Sequence, residues 1–193
     1  LGHLSAWQTI GSPEWREDEE GILRSPIWNQ CVAVAGSDDL LKREDFLYPS
    51  PHSHADTDVS FEFRTFTSSW SVANFGVVLR AQDSVRFYCI EVADFPAAEA
   101  RYGIRVFVQD GTGFRRDIAS AEVAHPRQPD GTPTVGRPET FERATPGWMR
   151  IRALARGSRI EVLVNDRRVL RARDATYAAG RAGIVARGPN QFR

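Results

Sequence analysis

The chain has 193 residues, 41% hydrophobic and 26% charged, which is the balance of a folded globular protein and excludes a disordered or fibrous one. A chain this long buries about 70% of its unfolded surface and needs neither metal nor disulfide to fold. Basic and acidic side chains number 25 each, without the basic excess of a nucleic-acid binder, and the sequence has no run of 18 apolar residues to span a membrane.

The N-terminus, Leu1-Gly2-His3-Leu4, has no basic region followed by an apolar one, so no signal peptide is expected. Cys31 and Cys89 each lie in an apolar, strand-like run, which suits free buried thiols; spacing alone does not decide whether they pair. Residues 37–57 hold Pro49, Pro51, His52 and His54, and predict a strand plus a long loop near 47–57. Period-two alternation then takes over. Val59, Phe61 and Phe63 alternate with Ser60, Glu62 and Arg64. A second strand covers 75–80. A third, over 85–92, sets Tyr88, Ile90 and Val92 against Cys89 and Glu91. A fourth, over 103–109, sets Ile104, Val106 and Val108 against Arg105 and Phe107.

Asp110-Gly111-Thr112-Gly113 has the composition of a hairpin turn. Residues 125–146 contain five prolines and predict a second long surface loop. Strands return at 148–155, 159–164 and 167–171, joined at Gly157-Ser158 and Asn165-Asp166, and again at 182–186. Closely spaced hairpins without useful helical periodicity predict one all-β domain over 1–193, a two-sheet antiparallel jelly-roll sandwich of the concanavalin-like kind.

Several motifs carry a family resemblance. Trp7, Trp15-Arg16 and Gly21-Ile22-Leu23 open the chain. Val59 to Arg64, Asn74-Phe75-Gly76-Val77-Val78-Leu79-Arg80 and Phe87 to Val92 form a central block. Gly147-Trp148-Met149-Arg150, Ile160 to Asp166, Gly180-Arg181-Ala182-Gly183-Ile184-Val185 and Phe192-Arg193 close it. In order and spacing these resemble the 3-keto-disaccharide hydrolase-like domains of the concanavalin A-like/laminin-G-like jelly rolls. That resemblance implies a domain that binds or acts on glycans. Phe75 stands where the pattern has serine, Asp166 where it has glycine, and Ala186-Arg187-Gly188 where a late histidine often follows. Glycan binding therefore stands first. Hydrolysis or lysis of keto-glycosides or other saccharides, and a structural accessory role, are the alternatives.

If the apolar alternates fill the core, Glu62, Arg64, Arg80, Glu91, Arg105 and Phe107 share a non-core face. Strands there lie about 4.8 Å apart, so these groups come within reach of each other and of a carbohydrate ligand. Arg64, Arg80 and Arg105 supply planar forks for hydroxyl pairs, Phe107 and Trp70 are candidate stacking platforms, and Glu62 with Glu91 is the candidate acid–base pair. The alternate residues His52, His54, Asp56 and Asp58 read as a polar loop entering a strand. No metal ligands or cofactor are assigned, although a structural calcium ion fits this chemistry.

Overall fold

The computed structural model describes residues 8–10, 16–20, 23–24, 45–48, 53–65, 74–83, 85–94, 101–112, 114–124, 148–187 and 190–192. These form β1 (Gln8–Ile10), β2 (Arg16–Glu17), β3 (Leu23–Arg24), β4 (Asp45–Tyr48), β5 (Thr57–Thr65), β6 (Asn74–Ala81) and β7 (Arg86–Asp94). They continue as β8 (Arg101–Asp110), β9 (Arg115–Ala124), β10 (Met149–Arg156), β11 (Arg159–Val164), β12 (Arg167–Arg173), β13 (Arg181–Arg187) and β14 (Asn190–Phe192). The predicted loop at 125–146, Cys31 and Trp70 lie outside the described residues.

The strands make two antiparallel seven-stranded sheets. Sheet I runs β1-β4-β13-β6-β7-β8-β9 and sheet II runs β12-β11-β10-β5-β14-β3-β2. The expected all-β jelly-roll sandwich is the observed architecture, and every pairing among the described residues is antiparallel. Local chemistry fixes the hairpins. Asn165 and Asp166 both adopt positive φ, 48° and 62°, as a two-residue turn of the type I′ geometry requires between β11 and β12. Asp110 Oδ1 accepts from the Thr112 N–H at 2.9 Å and closes the β8–β9 turn.

The core lies between the sheets. Sheet I supplies Phe75, Val77, Tyr88, Ile90, Tyr102 and Ile104, and sheet II supplies Phe61, Phe63, Ile151, Val162 and Phe192. Aromatic rings interlock across the gap. Phe63 and Phe75 have centroids 4.5 Å apart, and Phe63–Tyr102 and Phe75–Phe192 meet edge to face at 5.9 and 5.4 Å.

Part of the outer face of sheet I is apolar as well. Val78, Ala81, Phe87, Cys89, Phe107 and Val185 form a second buried cluster there. Cys89 is a free thiol, and burial pushes its pKa up, so it behaves as an apolar group. Gly76 belongs to the same packing: a Cβ there would come within 2.5 Å of Cys89 Sγ and 2.7 Å of Val185 Cγ1.

A polar network seals one end of the core, where residues 174–180 cross from β12 to β13. The Tyr88 hydroxyl donates to Asp174 Oδ1 at 2.7 Å, Arg116 Nη2 to Asp174 Oδ2 at 2.7 Å, and the Thr176 N–H to Asp174 Oδ1 at 2.9 Å. Burial alone would raise the Asp174 pKa. Bonds from Thr176, Tyr88 and Arg116 outweigh it and hold the carboxyl well below the ordinary carboxylate range. A depressed native pKa means the unfolded chain takes up the proton first. This network's stabilisation is therefore complete above the ordinary carboxylate pKa of about 3.9 and is lost as pH falls below it. Asp174→Asn is expected to cost about 1–3 kcal/mol at neutral pH. It should also flatten the acid limb of a plot of Tm against pH, and an unchanged limb would show that the network carries no acid-linked stability.

Candidate functional site

The outer faces of the two sheets are separate surfaces, and consecutive strands β5 and β6 belong to different sheets. On β5, Phe61 and Phe63 point into the core, so Glu62 faces outward from sheet II. On β7, Ile90 and Val92 point into the core, so Glu91 faces outward from sheet I. The two carboxylates stand on opposite sides of a core about 10 Å thick. This corrects the expectation that they share a face. An acid–base pair needs its carboxyls about 5–9.5 Å apart on one substrate, which this arrangement does not provide.

Arg80 also differs from expectation. Period-two counting sends it outward with Glu91. In the fold, β6 carries an extra residue opposite β13, where pairing jumps from Arg181↔Ala81 to Gly183↔Val78. The bulge breaks the alternation, and Arg80 adopts a φ of 52°. Its side chain is buried, at 1% exposure, and it is tied to backbone carbonyls. Arg80 Nε donates to Ala55 O at 3.0 Å, and Nη1 donates to Gly157 O at 2.7 Å and Tyr177 O at 2.9 Å. It therefore joins three connections and presents nothing to the outer surface.

Glu91, Arg105 and Phe107 do come together. Register sets Glu91 opposite Arg105 and Cys89 opposite Phe107. Arg105 Nε donates to Glu91 Oε2 at 3.1 Å, and Arg105 Nη2 reaches the same oxygen. Phe107 is buried, with the Arg115 guanidinium 4.6 Å and the Arg105 guanidinium 5.6 Å from its ring centroid. The ring is thus a floor for two cations, not the open stacking platform expected from the sequence.

Arg115 and Asp117 complete the cluster and escaped the sequence reading. A bulge in the β8–β9 pairing shifts the register from Val106↔Ala119 to Phe107↔Asp117. Asp117 and Arg115 thereby turn to the outer face, while Ile118 packs on the core. Arg115 Nη1 stands 3.9 Å from Glu91 Oε1, and Arg105 Nη1 stands 3.5 Å from Asp117 Oδ2. The turn at 110–113 signalled a strand after it, and alternation continued through the bulge would still have misplaced these two side chains.

The result is a graded polar site: Glu91 is largely covered at 13% exposure, while Arg105 and Asp117 reach solvent at 41% and 59%. Such a site offers planar donors and carboxylate acceptors side by side over an apolar floor. Arg64 lies on β5 opposite Gln191, in sheet II and not beside this cluster. Asp58 is bound by Arg152 through two hydrogen bonds of 2.8 and 2.6 Å, and Asp56 Oδ1 accepts from the Gly157 N–H at 3.3 Å. Among the described residues no three His, Cys, Asp or Glu side chains gather to hold a metal, and no helix is long and apolar enough to cross a membrane.

No protein-family model matches the chain, and no curated protein matches it in sequence. Solved structures do. The carbohydrate-binding module CBM66 of Bacillus subtilis is 18% identical, with a TM-score of 0.59, over 97% of this chain and 92% of that one. A Bacillus subtilis protein of unknown function with a galectin-like fold is 10% identical, with a TM-score of 0.57, over 98% and 87%. The carbohydrate recognition domain of Emp46p, in its potassium-bound form, is 11% identical, with a TM-score of 0.56, over 98% and 86%. At these identities the likeness is one of fold.

Proposed function

We propose that the chain is a saccharide-binding module whose ligand lies on the outer face of sheet I, over Glu91, Arg105, Arg115 and Asp117. The observation that carries this reading is the cluster itself, with Arg105 bonded to Glu91 and both arginines set over Phe107. Sugar hydroxyls come in adjacent pairs that both donate and accept. A guanidinium fork beside a carboxylate meets both needs, and the ion pairing holds the side chains in place before ligand arrives. The fold shared with a carbohydrate-binding module and a carbohydrate recognition domain supports the same reading. Hydrolysis has less support, because Glu62 and Glu91 do not face one substrate.

Arg105→Ala removes one charged hydrogen-bonding partner, a change of about 1.5–3 kcal/mol, or about tenfold to hundredfold in affinity. A glycan array with the native protein identifies the ligand, and calorimetric titration of the variant reads the loss. Undiminished affinity in a folded Arg105→Ala protein would remove the site from this face.

A further inference from the structure

The opposite face of the sandwich carries a charge pattern that the proposed site does not use. Strands β11 and β12 are adjacent at one edge of sheet II. Within their 13 residues stand five arginines and one acidic side chain, a local net charge of +4 on a chain that is neutral overall. Register and alternation put Arg159, Glu161, Arg168, Arg171 and Arg173 on the outer side, while Ile160, Val162, Leu170 and Ala172 fill the core. Arg171 Nε donates to Glu161 Oε1 at 2.9 Å, and Arg159 Nη1 and Arg168 Nη1 each stand 3.8 Å from that same oxygen. One carboxylate thus serves three guanidinium groups, each about half exposed. Further in, Arg150 and Arg152 each have an acid of their own, Asp166 and Asp58. At the end of β10 the exposed Arg156, opposite Arg159, adds a further guanidinium beside this group.

We propose that this face docks an acidic polysaccharide, a flexible chain bearing carboxylates at regular intervals. Neighbouring outward side chains are about 4.8 Å apart across strands and about 7 Å apart along one, within a Debye length of about 8 Å. Their fields add, and the planar forks match carboxylates two bonds at a time. Other polyanions fit less well. Duplex DNA is read by an element that enters a groove, and this surface is the face of a seven-stranded sheet. Single strands need aromatic platforms, and the outward positions of β10, β11 and β12 carry none. A lipid surface calls for exposed apolar anchors beside the charges, whereas the outward apolar side chains here, Leu154 and Leu163, are half-buried, and the exposed large hydrophobics among the described residues, Val85 and Phe114, are not on this face.

The test uses polygalacturonate as the probe, in affinity electrophoresis and calorimetry, with neutral dextran, duplex DNA and phosphatidylserine vesicles beside it. Polygalacturonate is expected to retard the protein, and salt to abolish the effect. The triple variant Arg159→Gln/Arg168→Gln/Arg171→Gln is expected to bind about tenfold more weakly or worse. Glu161→Gln is expected to bind about twofold to fivefold more tightly, because it removes the acid that competes with the ligand. This opposite sign separates ligand binding from loss of fold, as does a native circular dichroism spectrum for each variant. Equal retardation by dextran, tighter binding to DNA or vesicles, no retardation by polygalacturonate, or indifference to either substitution would overturn the proposal.

Discussion

Replacing Gly180 by alanine is expected to destabilise the protein by about 4 kcal/mol and lower Tm by about 8–16 °C. Gly180 sits where the β12–β13 crossing touches β6. A Cβ there would lie 2.3 Å from the carbonyl carbon of Arg80, 2.5 Å from its oxygen and 2.7 Å from its Cα. These are backbone atoms in a paired strand and have no cheap way to move. The φ of Gly180, +155°, adds strain for any L side chain. Gly180 also exchanges two backbone hydrogen bonds with His54, at 2.9 and 3.1 Å, so displacing it breaks a bridge between two connections. Thermal unfolding followed by circular dichroism measures the effect. A Tm within about 3 °C of the native protein would mean that the corner is loosely packed.

Arg80→Met is the second large effect, expected to cost about 3 kcal/mol or about 6–12 °C in Tm. The guanidinium bonds three carbonyls from three separate connections, before β5, between β10 and β11, and between β12 and β13. The loss is moderated because Nη2 is buried without a hydrogen-bond partner among the described residues, and methionine removes that penalty. Methionine nearly keeps the volume, so the measured cost reports the bonds and not a cavity. Arg80→Lys should recover less than half of it, since one ammonium cannot hold three diverging carbonyls at these distances. If Arg80→Met kept the native Tm and lost saccharide affinity instead, Arg80 would belong to a binding surface after all.

The strands from β5 to β8 and from β10 to β13 were legible because alternation is a backbone property. Successive side chains point to opposite faces, and Phe61, Ile90 and Val106 had to share the buried one. Two features broke the reading. Bulges insert one residue and reverse the count beyond it, which turned Arg80 inward and Asp117 outward. Sequence adjacency also suggested neighbours, but β5 pairs with β10 and β14, and it placed Glu62 beside Glu91 in error. One missed feature did leave a signal. The unbroken apolar runs Val77-Val78-Leu79, Phe87-Tyr88-Cys89-Ile90 and Val106-Phe107-Val108 mark strands covered on both faces, which is why Phe107 is buried and not available for stacking.

Strand order has a consequence for how the molecule assembles. Two stretches are local meanders, β6-β7-β8-β9 in sheet I and β10-β11-β12 in sheet II, and each closes through short loops. The remaining pairings join distant parts of the chain. Strand β5 reaches across to β10, and among the described residues β14 links β5 to β3 and, through it, to β2. Closing long loops costs entropy before any contact repays it, so the meanders are the natural nuclei and the seams follow. The two parts of sheet II meet where Phe192 stands opposite Phe63. The contacts of the outer face are thus the more local ones: Glu91 and Arg105 belong to neighbouring strands of one meander, while the core beneath them draws in Phe192 from a strand much later in the chain.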